Sequence, residues 1–248
     1  MTINKAALKF HLHDDFKSIG TICAILLAVS ILPTLFITVT VGNNVMNVMS
    51  GLEFMFGFVL FIGWIEHFSV GLHFFTQHGM SRRSIFASDI TYLLFGSLMY
   101  AVAALLTGAI VGLVVPLLGA SYTSAFVSMY PHLLAGMNGV AAGLLHLVWT
   151  WAIIMAGSAL GIFVGSLYHI LSTMGRYIAL GCLILLVIVL PRFLVGTDVD
   201  GFVETLTSFV TGAMDLGSPA GVIGAAACVA AIGIVGYWLC VRRCKVKK

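Results

Sequence analysis

The chain has 248 residues, of which 60% are hydrophobic and 8% charged, and its mean hydropathy is +1.11. This composition excludes an ordinary soluble domain, because a protein surface in water carries far more charge. The net charge of +3 does not indicate nucleic-acid binding, since the basic residues are spread over several short segments and form no continuous groove.

Six apolar runs are long enough to cross the hydrocarbon of a bilayer as helices, which takes about 20 residues. The runs lack the alternation of membrane β-strands, and a helix satisfies all of its backbone groups internally. We therefore predict an all-α integral membrane protein with six transmembrane helices. The predicted helices cover residues 19–41, 52–77, 90–118, 139–168, 177–195 and 219–241.

Two further helices are predicted outside these runs. Residues 1–18 repeat apolar side chains at three- and four-residue steps among lysines, which predicts an amphipathic helix along the cytoplasmic headgroups. Residues 196–218 form an external segment between the fifth and sixth runs. Its apolar residues line one helical face and Thr197 suits the N-cap position, so we predict an interfacial or re-entrant helix there.

The distribution of lysine and arginine predicts the orientation. Eleven of these twelve residues fall in the N-terminal segment, residues 78–89, residues 169–176 and the C-terminal tail, and only Arg192 falls on the other side. The positive-inside rule assigns the basic side to the cytoplasm. We therefore predict a multi-pass protein of the cell membrane, in contact with its lipid, with both termini in the cytoplasm.

The turn after the second predicted helix reads Gly-Met-Ser-Arg-Arg-Ser-Ile-Phe over residues 79–86. It combines a glycine that ends one helix, a serine that caps the next, and two arginines. Such a basic, capped element suits an acidic groove on a partner. In this turn the chain resembles the permease subunits of type-2 ATP-binding-cassette exporters, especially the small Gram-positive ones.

Those permeases also have six helices, an amphipathic N-terminal helix and an external helical element before the last helix. The resemblance implies that residues 78–89 form a coupling turn bound by a cytoplasmic ATPase subunit, and that a second permease chain, identical or different, completes the transporter. It also implies outward movement of a hydrophobic or amphipathic substrate, such as a peptide antibiotic, a lipid or a drug. The implied coupling contacts are Gly79, Ser81, Arg82, Arg83 and Phe86, although the arginines alone are also explained as topology anchors.

The chain contains no Gly-Lys dipeptide and hence no phosphate-binding loop. ATP and Mg would therefore be bound by the partner ATPase, and we predict neither a cofactor nor a metal site in this chain. The sequence runs of intramembrane proteases are missing as well, so we predict a transport subunit and no enzyme.

One face of the second predicted helix is polar. Glu66, Ser69, His73 and Gln77 follow at steps of three and four residues in its cytoplasmic half. A carboxylate at mid-membrane depth costs roughly 2.5–3.5 kcal/mol on insertion scales, so it normally faces protein or water. The face either lines a cavity, or stabilises packing beside the coupling turn, or relays protons. A relay would make the chain a secondary or proton-coupled carrier; a haem-binding subunit is the third alternative, although His73 and His146 differ in depth.

Glycines at four-residue spacing predict close helix packing, because small residues let backbones approach in lipid. Gly157, Gly161 and Gly165 form two such steps on the fourth predicted helix. We expect these steps to pack helices within one chain, with a contact between two chains as the alternative. Single steps occur at Gly108/Gly112 and Gly139/Gly143.

Overall fold

A computed structural model describes residues 18–32, 47–77, 79–118, 120–171 and 218–243, without the side chains of residues 47–50, 67–74, 76 and 243. This part of the chain is mostly helical, as predicted. All but the last residue of the predicted helix at 1–18, residues 33–41 of the first predicted transmembrane helix, the helix at 177–195, and all but the last residue of the external segment at 196–218 lie outside the described residues. In chain order the elements are α1 (Ser18–Leu32), β1 (Asn47–Ser50), α2 (Leu52–Gln77), α3 (Arg82–Leu117), β2 (Ser121–Ser124), α4 (Ala125–Met129), α5 (Pro131–Leu134), α6 (Gly139–Ile170) and α7 (Pro219–Arg243).

Three helices of the described part are long and apolar enough to cross a membrane: Arg82–Leu117, Gly139–Ile170 and Pro219–Arg242. α1 is apolar as well but shorter. These helices also carry large apolar side chains on their outer surfaces. Leu113 is 74% exposed and Val140 is 78% exposed. Apolar helices with apolar outer faces are compatible with a lipid environment.

The helix bounds agree with the apolar runs at α2, at the start of α6 and at the start of α7. α3 differs, because it begins at Arg82 and not at residue 90. The predicted coupling turn at 78–89 is therefore shorter, and its second half forms the first turns of a helix. Ile85, Ser88 and Asp89 are buried there, which continues the buried face of α3 toward its N-terminus.

α6 packs against α2, α3 and α7 and so connects the other long helices. A Cβ atom at Gly157 would lie 2.7 Å from the carbonyl oxygen of Gly57 on α2. α6 also packs against α7, where a Cβ atom at Gly233 would lie 2.6 Å from the carbonyl oxygen of Ala159 on α6. Glycine thus allows direct backbone contact between α6 and both neighbours. Gly161 lies in the same way against the backbone of Phe61, and Gly165 is buried.

The main core lies between the long helices and is built from large apolar side chains. Phe56, Leu93, Ile154 and Tyr237 are almost fully buried in it. Several buried hydroxyl groups bond to carbonyl oxygens of their own helix, as Thr107 does to Ala103 at 2.8 Å. Such local bonds satisfy polar side chains where no water is present.

β1 and β2 form a two-stranded parallel sheet, with Asn47 opposite Ser121 and Ser50 opposite Ser124. We did not predict these strands, because four-residue segments without a run of apolar residues give no periodic signal. β1 leads through Gly51 into α2, and β2 lies between the end of α3 and α4. The pairing therefore fixes the start of α2 beside the end of α3.

Candidate functional site

The first candidate site is the turn between α2 and α3, which we call the basic turn and define as Gly79–Arg83. Gly79 has a φ of 73°, and the amide of Met80 donates to the carbonyl oxygen of Phe75 at 3.1 Å. This is the usual way in which a glycine closes the end of a helix. Ser81 is the N-cap of α3, since its hydroxyl accepts a hydrogen bond from the amide of Ser84 at 3.2 Å.

The start of α3 is attached to the end of α7. Nη1 of Arg82 donates to the backbone oxygen of Arg242 at 3.0 Å. The ring of Phe86 lies 4.7 Å from that of Trp238, measured between centroids. The guanidinium of Arg242 in turn lies 5.2 Å from the centroid of Trp238, which is within the range of a cation–π contact.

One helical turn further along α3, a buried polar contact reinforces this attachment. The hydroxyl of Tyr237 on α7 donates to a carboxylate oxygen of Asp89. Tyr237 is fully buried and Asp89 is 5% exposed. A buried hydrogen bond to a carboxyl group holds the two helices in one register, because breaking it leaves a polar group without water.

Four of the five implied coupling residues are exposed: Gly79, Ser81, Arg82 and Arg83. Phe86 is half-buried, and its ring contacts Tyr237 and Trp238 of α7. The basic turn thus presents two guanidinium groups outward, while the aromatic ring that follows packs inside the chain.

The polar face predicted on α2 is only partly described. Glu66 and Gln77 lie on α2 with exposed side chains. The side chains of Ser69 and His73 lie outside the described residues.

The second candidate site is a buried acid–histidine pair at the other end of the helices. Glu53 is the second residue of α2, where a carboxylate is favoured by the helix dipole. Its Oε1 lies 3.1 Å from Nε2 of His146 on α6. Glu53 is 3% exposed, and its Oε2 has no hydrogen-bond partner among the described residues.

Aromatic rings hold His146 in place. The ring of Phe126, on the short helix α4, is stacked on the imidazole at 4.8 Å with an angle of 10° between the planes. Trp149 is fully buried, and its ring centroid lies 5.5 Å from that of Phe126. The imidazole therefore has one face against an aromatic ring and its Nε2 directed at Glu53.

A cavity of about 460 Å³ lies beside this pair, between α3, α6 and β2, and both Glu53 and His146 line it. Tyr122 forms part of the wall and lies against α3. A Cβ atom at Gly108 would be 2.9 Å from the Tyr122 hydroxyl, and one at Gly112 would be 3.4 Å from the ring. This Gly-x3-Gly step accommodates a tyrosine.

This second site is only weakly indicated by sequence patterns. Glu53 is a carboxylate at the very start of an apolar run, where it is easily interpreted as a helix-terminal acid. His146 is 93 residues away on another helix, and no motif connects the two. The usable signal was an acid inside one predicted span and a histidine inside another, both near the predicted outer ends.

Chemically, the pair offers a carboxylate with one oxygen held by an imidazole and the other buried without a described partner, and both residues line a cavity. Such a group can accept a hydrogen bond from a bound cation or a proton donor. In the described ranges no three His, Cys, Asp or Glu side chains are grouped so as to hold a metal ion.

No protein family, curated protein or solved structure matches this chain.

Proposed function

We propose that this chain is the membrane-spanning permease subunit of an ATP-binding-cassette exporter, which moves a hydrophobic or amphipathic substrate outward. The energy comes from ATP hydrolysis on a separate cytoplasmic ATPase, and a second permease chain completes the membrane part. In this proposal the chain lies in the cell membrane with six transmembrane helices and both termini in the cytoplasm. The basic turn then faces the cytoplasm, and the Glu53–His146 pair lies toward the outside.

The observation that carries the proposal is that the basic turn is exposed and at the same time attached to α7. A coupling element must be reachable by its partner, rigid, and connected to helices that move. Gly79 and Ser81 fix the turn, and Arg82 and Phe86 connect it to the end of α7.

A continuous set of contacts leads from the turn into the bundle. α7 contacts α6 closely at Gly233, against the backbone of Ala159. α6 contacts α2 closely at Gly157, against Gly57. Backbone contacts of this kind leave little room for local adjustment, so a force on the turn displaces whole helices.

The exposed charges of the turn suit an acidic partner surface. Arg82 and Arg83 are adjacent and exposed, so both can form charge-assisted hydrogen bonds with carboxylates. Arg82 also bonds within the chain. Arg83 is therefore the better position at which to test partner binding without disturbing the fold.

The test is co-purification of an ATPase with the affinity-tagged full chain from membranes of its native host. We expect an ATPase with a phosphate-binding loop to co-purify, and Arg83→Glu to reduce its recovery at least about tenfold, since like charges across an interface cost several kcal/mol. Arg83→Lys keeps the positive charge at the same position and should retain most of the recovery. Equal recovery with Arg83→Glu, or no ATPase with the unmodified chain, would contradict the proposal.

A labelling experiment tests the orientation independently. A cysteine introduced as Arg83→Cys should react with a membrane-impermeant maleimide only after the cells are permeabilised, when compared with the unsubstituted chain. Reaction in intact cells would put the turn outside, where no cytoplasmic ATPase reaches it.

A further inference from the structure

We propose that the cavity beside Glu53 and His146 binds a cationic amphiphile, that is, an organic ammonium group joined to an apolar body. Binding of such a ligand requires only this chain. That the ligand is the substrate of an exporter rests on the proposed function.

Only one of the two carboxylate oxygens of Glu53 has a hydrogen-bond partner among the described residues. Oε1 is bonded to His146 at 3.1 Å, while Oε2 is buried without a hydrogen-bond partner in the described part of the chain. Buried polar atoms are almost always paired, and a buried unpaired oxygen of an acidic group is among the most unfavourable exceptions. Glu53 lines the cavity, so we assign the missing donor to a ligand bound there that moves the wall enough to reach Oε2.

The charges around the cavity select a cation. Among the described residues its lining contains one carboxylate, from Glu53, and neither lysine nor arginine; the other ionisable side chains are those of His146 and Tyr122. The carboxylate of Glu53 attracts an ammonium group, which donates up to three hydrogen bonds. An anionic ligand would be repelled by the same carboxylate.

The rest of the cavity suits an apolar body. Its wall includes Ala104, Leu105, Val127 and the ring of Tyr122, and an aromatic ring also stabilises a nearby cation. The volume of about 460 Å³ falls within the usual range of small-molecule sites, about 300–1,000 Å³. One charged contact within apolar walls is the pattern that binds an amphiphile.

The opening of the cavity lies between α3 and α6. Ala109 and Gly143 line the cavity and are exposed, and a Cβ atom at Gly143 would meet nothing within 4 Å. Large apolar side chains flank this opening, with Leu106 61% exposed and Leu144 59% exposed. In a bilayer such a rim faces lipid, so an amphiphile reaches the site from the membrane with its apolar part already dissolved there.

The test uses the purified full chain in nanodiscs without any ATPase. The probe is monodansylcadaverine, a fluorescent amphiphile with a primary ammonium group, and its uncharged N-acetyl derivative is the matched ligand control. Binding is followed by energy transfer from tryptophan to the dansyl group. We expect saturable binding of the ammonium probe and at least about tenfold weaker binding of the N-acetyl derivative, because the charge-assisted hydrogen bond is lost.

Variants locate the binding. Glu53→Gln keeps the shape of the side chain and should weaken binding of the probe at least about tenfold. Glu66→Gln, at an exposed position of the same helix, should change the affinity for the probe less than about twofold. Gly143→Leu fills the opening without touching Glu53 and should also abolish binding without lowering the thermal unfolding temperature. This second variant keeps the test decisive if Glu53→Gln fails to fold.

Three outcomes would overturn the inference. They are equal binding by Glu53→Gln and the unsubstituted chain, equal binding of the N-acetyl derivative, and displacement of the probe by millimolar Na⁺ or Ca²⁺ at constant ionic strength, which would assign the site to an inorganic cation. Since no ATPase is present, these outcomes bear on the cavity alone, and a failed co-purification bears on the proposed function alone.

Discussion

Replacing Gly157 by alanine should push α2 and α6 apart. The new Cβ atom would lie 2.7 Å from the carbonyl oxygen of Gly57, 3.3 Å from its carbonyl carbon and 3.5 Å from its Cα atom. Carbon and oxygen in close packing normally stay about 3.3–3.6 Å apart, so the obstruction is at least about 0.6 Å. The atoms in the way are backbone, so a rotamer change does not relieve it and the helices themselves must move. Overpacking of this kind costs about 1–3 kcal/mol.

The matched control is alanine on the other side of the same contact. A Cβ atom at Gly57 would meet only ordinary contacts, the nearest being Cγ2 of Ile153 at 3.7 Å. Both substitutions gain the same helix propensity, about 1 kcal/mol, so the difference between the two variants isolates the cost of overpacking. At about 2–4 °C per kcal/mol for a chain of this size, Gly157→Ala should unfold about 2–12 °C below Gly57→Ala.

The assay is thermal unfolding of the full chain in detergent, followed by tryptophan fluorescence. Equal unfolding temperatures for the two variants, or a higher one for Gly157→Ala, would refute the claim that backbone contact at Gly157 sets the distance between the helices.

Two further predictions concern the basic turn and its attachment. Tyr237→Phe removes the donor to buried Asp89 and should destabilise the chain by about 1–3 kcal/mol. In an Asp89→Leu background the same substitution should cost clearly less stability. Additive losses of stability in this double-mutant cycle would argue against the contact. Gly79→Val places a β-branched residue at a φ of 73° and should cost at least about 1–2 kcal/mol, with Gly79→Asn milder. Thermal unfolding measures both series, and a valine variant as stable as the asparagine variant would contradict the turn geometry.

The positions of the long helices could be predicted because apolar length is a direct consequence of the lipid environment. The run at 52–77 has the same bounds as α2, and Gly79 and Ser81 were identified as a helix stop and a helix cap from their residue types alone. These features depend on residues close together in sequence. Each can therefore be recognised without knowing what lies nearby in space.

The apolar run alone did not predict that α3 begins before residue 90, although Ser81 as a cap indicates a helix from Arg82. Ser88 and Asp89 resemble a loop in sequence, but both are buried in the structure and Asp89 contacts α7. The partner of Asp89 is Tyr237, 148 residues away.

The acid–histidine site has the same difficulty, since Glu53 and His146 meet only through the packing of α2 on α6. The glycine step at Gly108/Gly112 predicted close approach of two helices, but the tyrosine side chain of Tyr122 on β2 lies against it.

The length of α3 has a mechanical consequence. Its 36 residues span about 54 Å at about 1.5 Å per residue, well beyond the roughly 30 Å of a bilayer's hydrocarbon. Its one proline, Pro116, is in the last turn, so no proline interrupts the rod between Arg82 and the cavity wall at Gly108. A tilt of about 5° then shifts one end against the other by several ångströms. α3 therefore connects the basic turn to the cavity as one uninterrupted helix. A small displacement of its Arg82 end can then change the width of the cavity at Gly108.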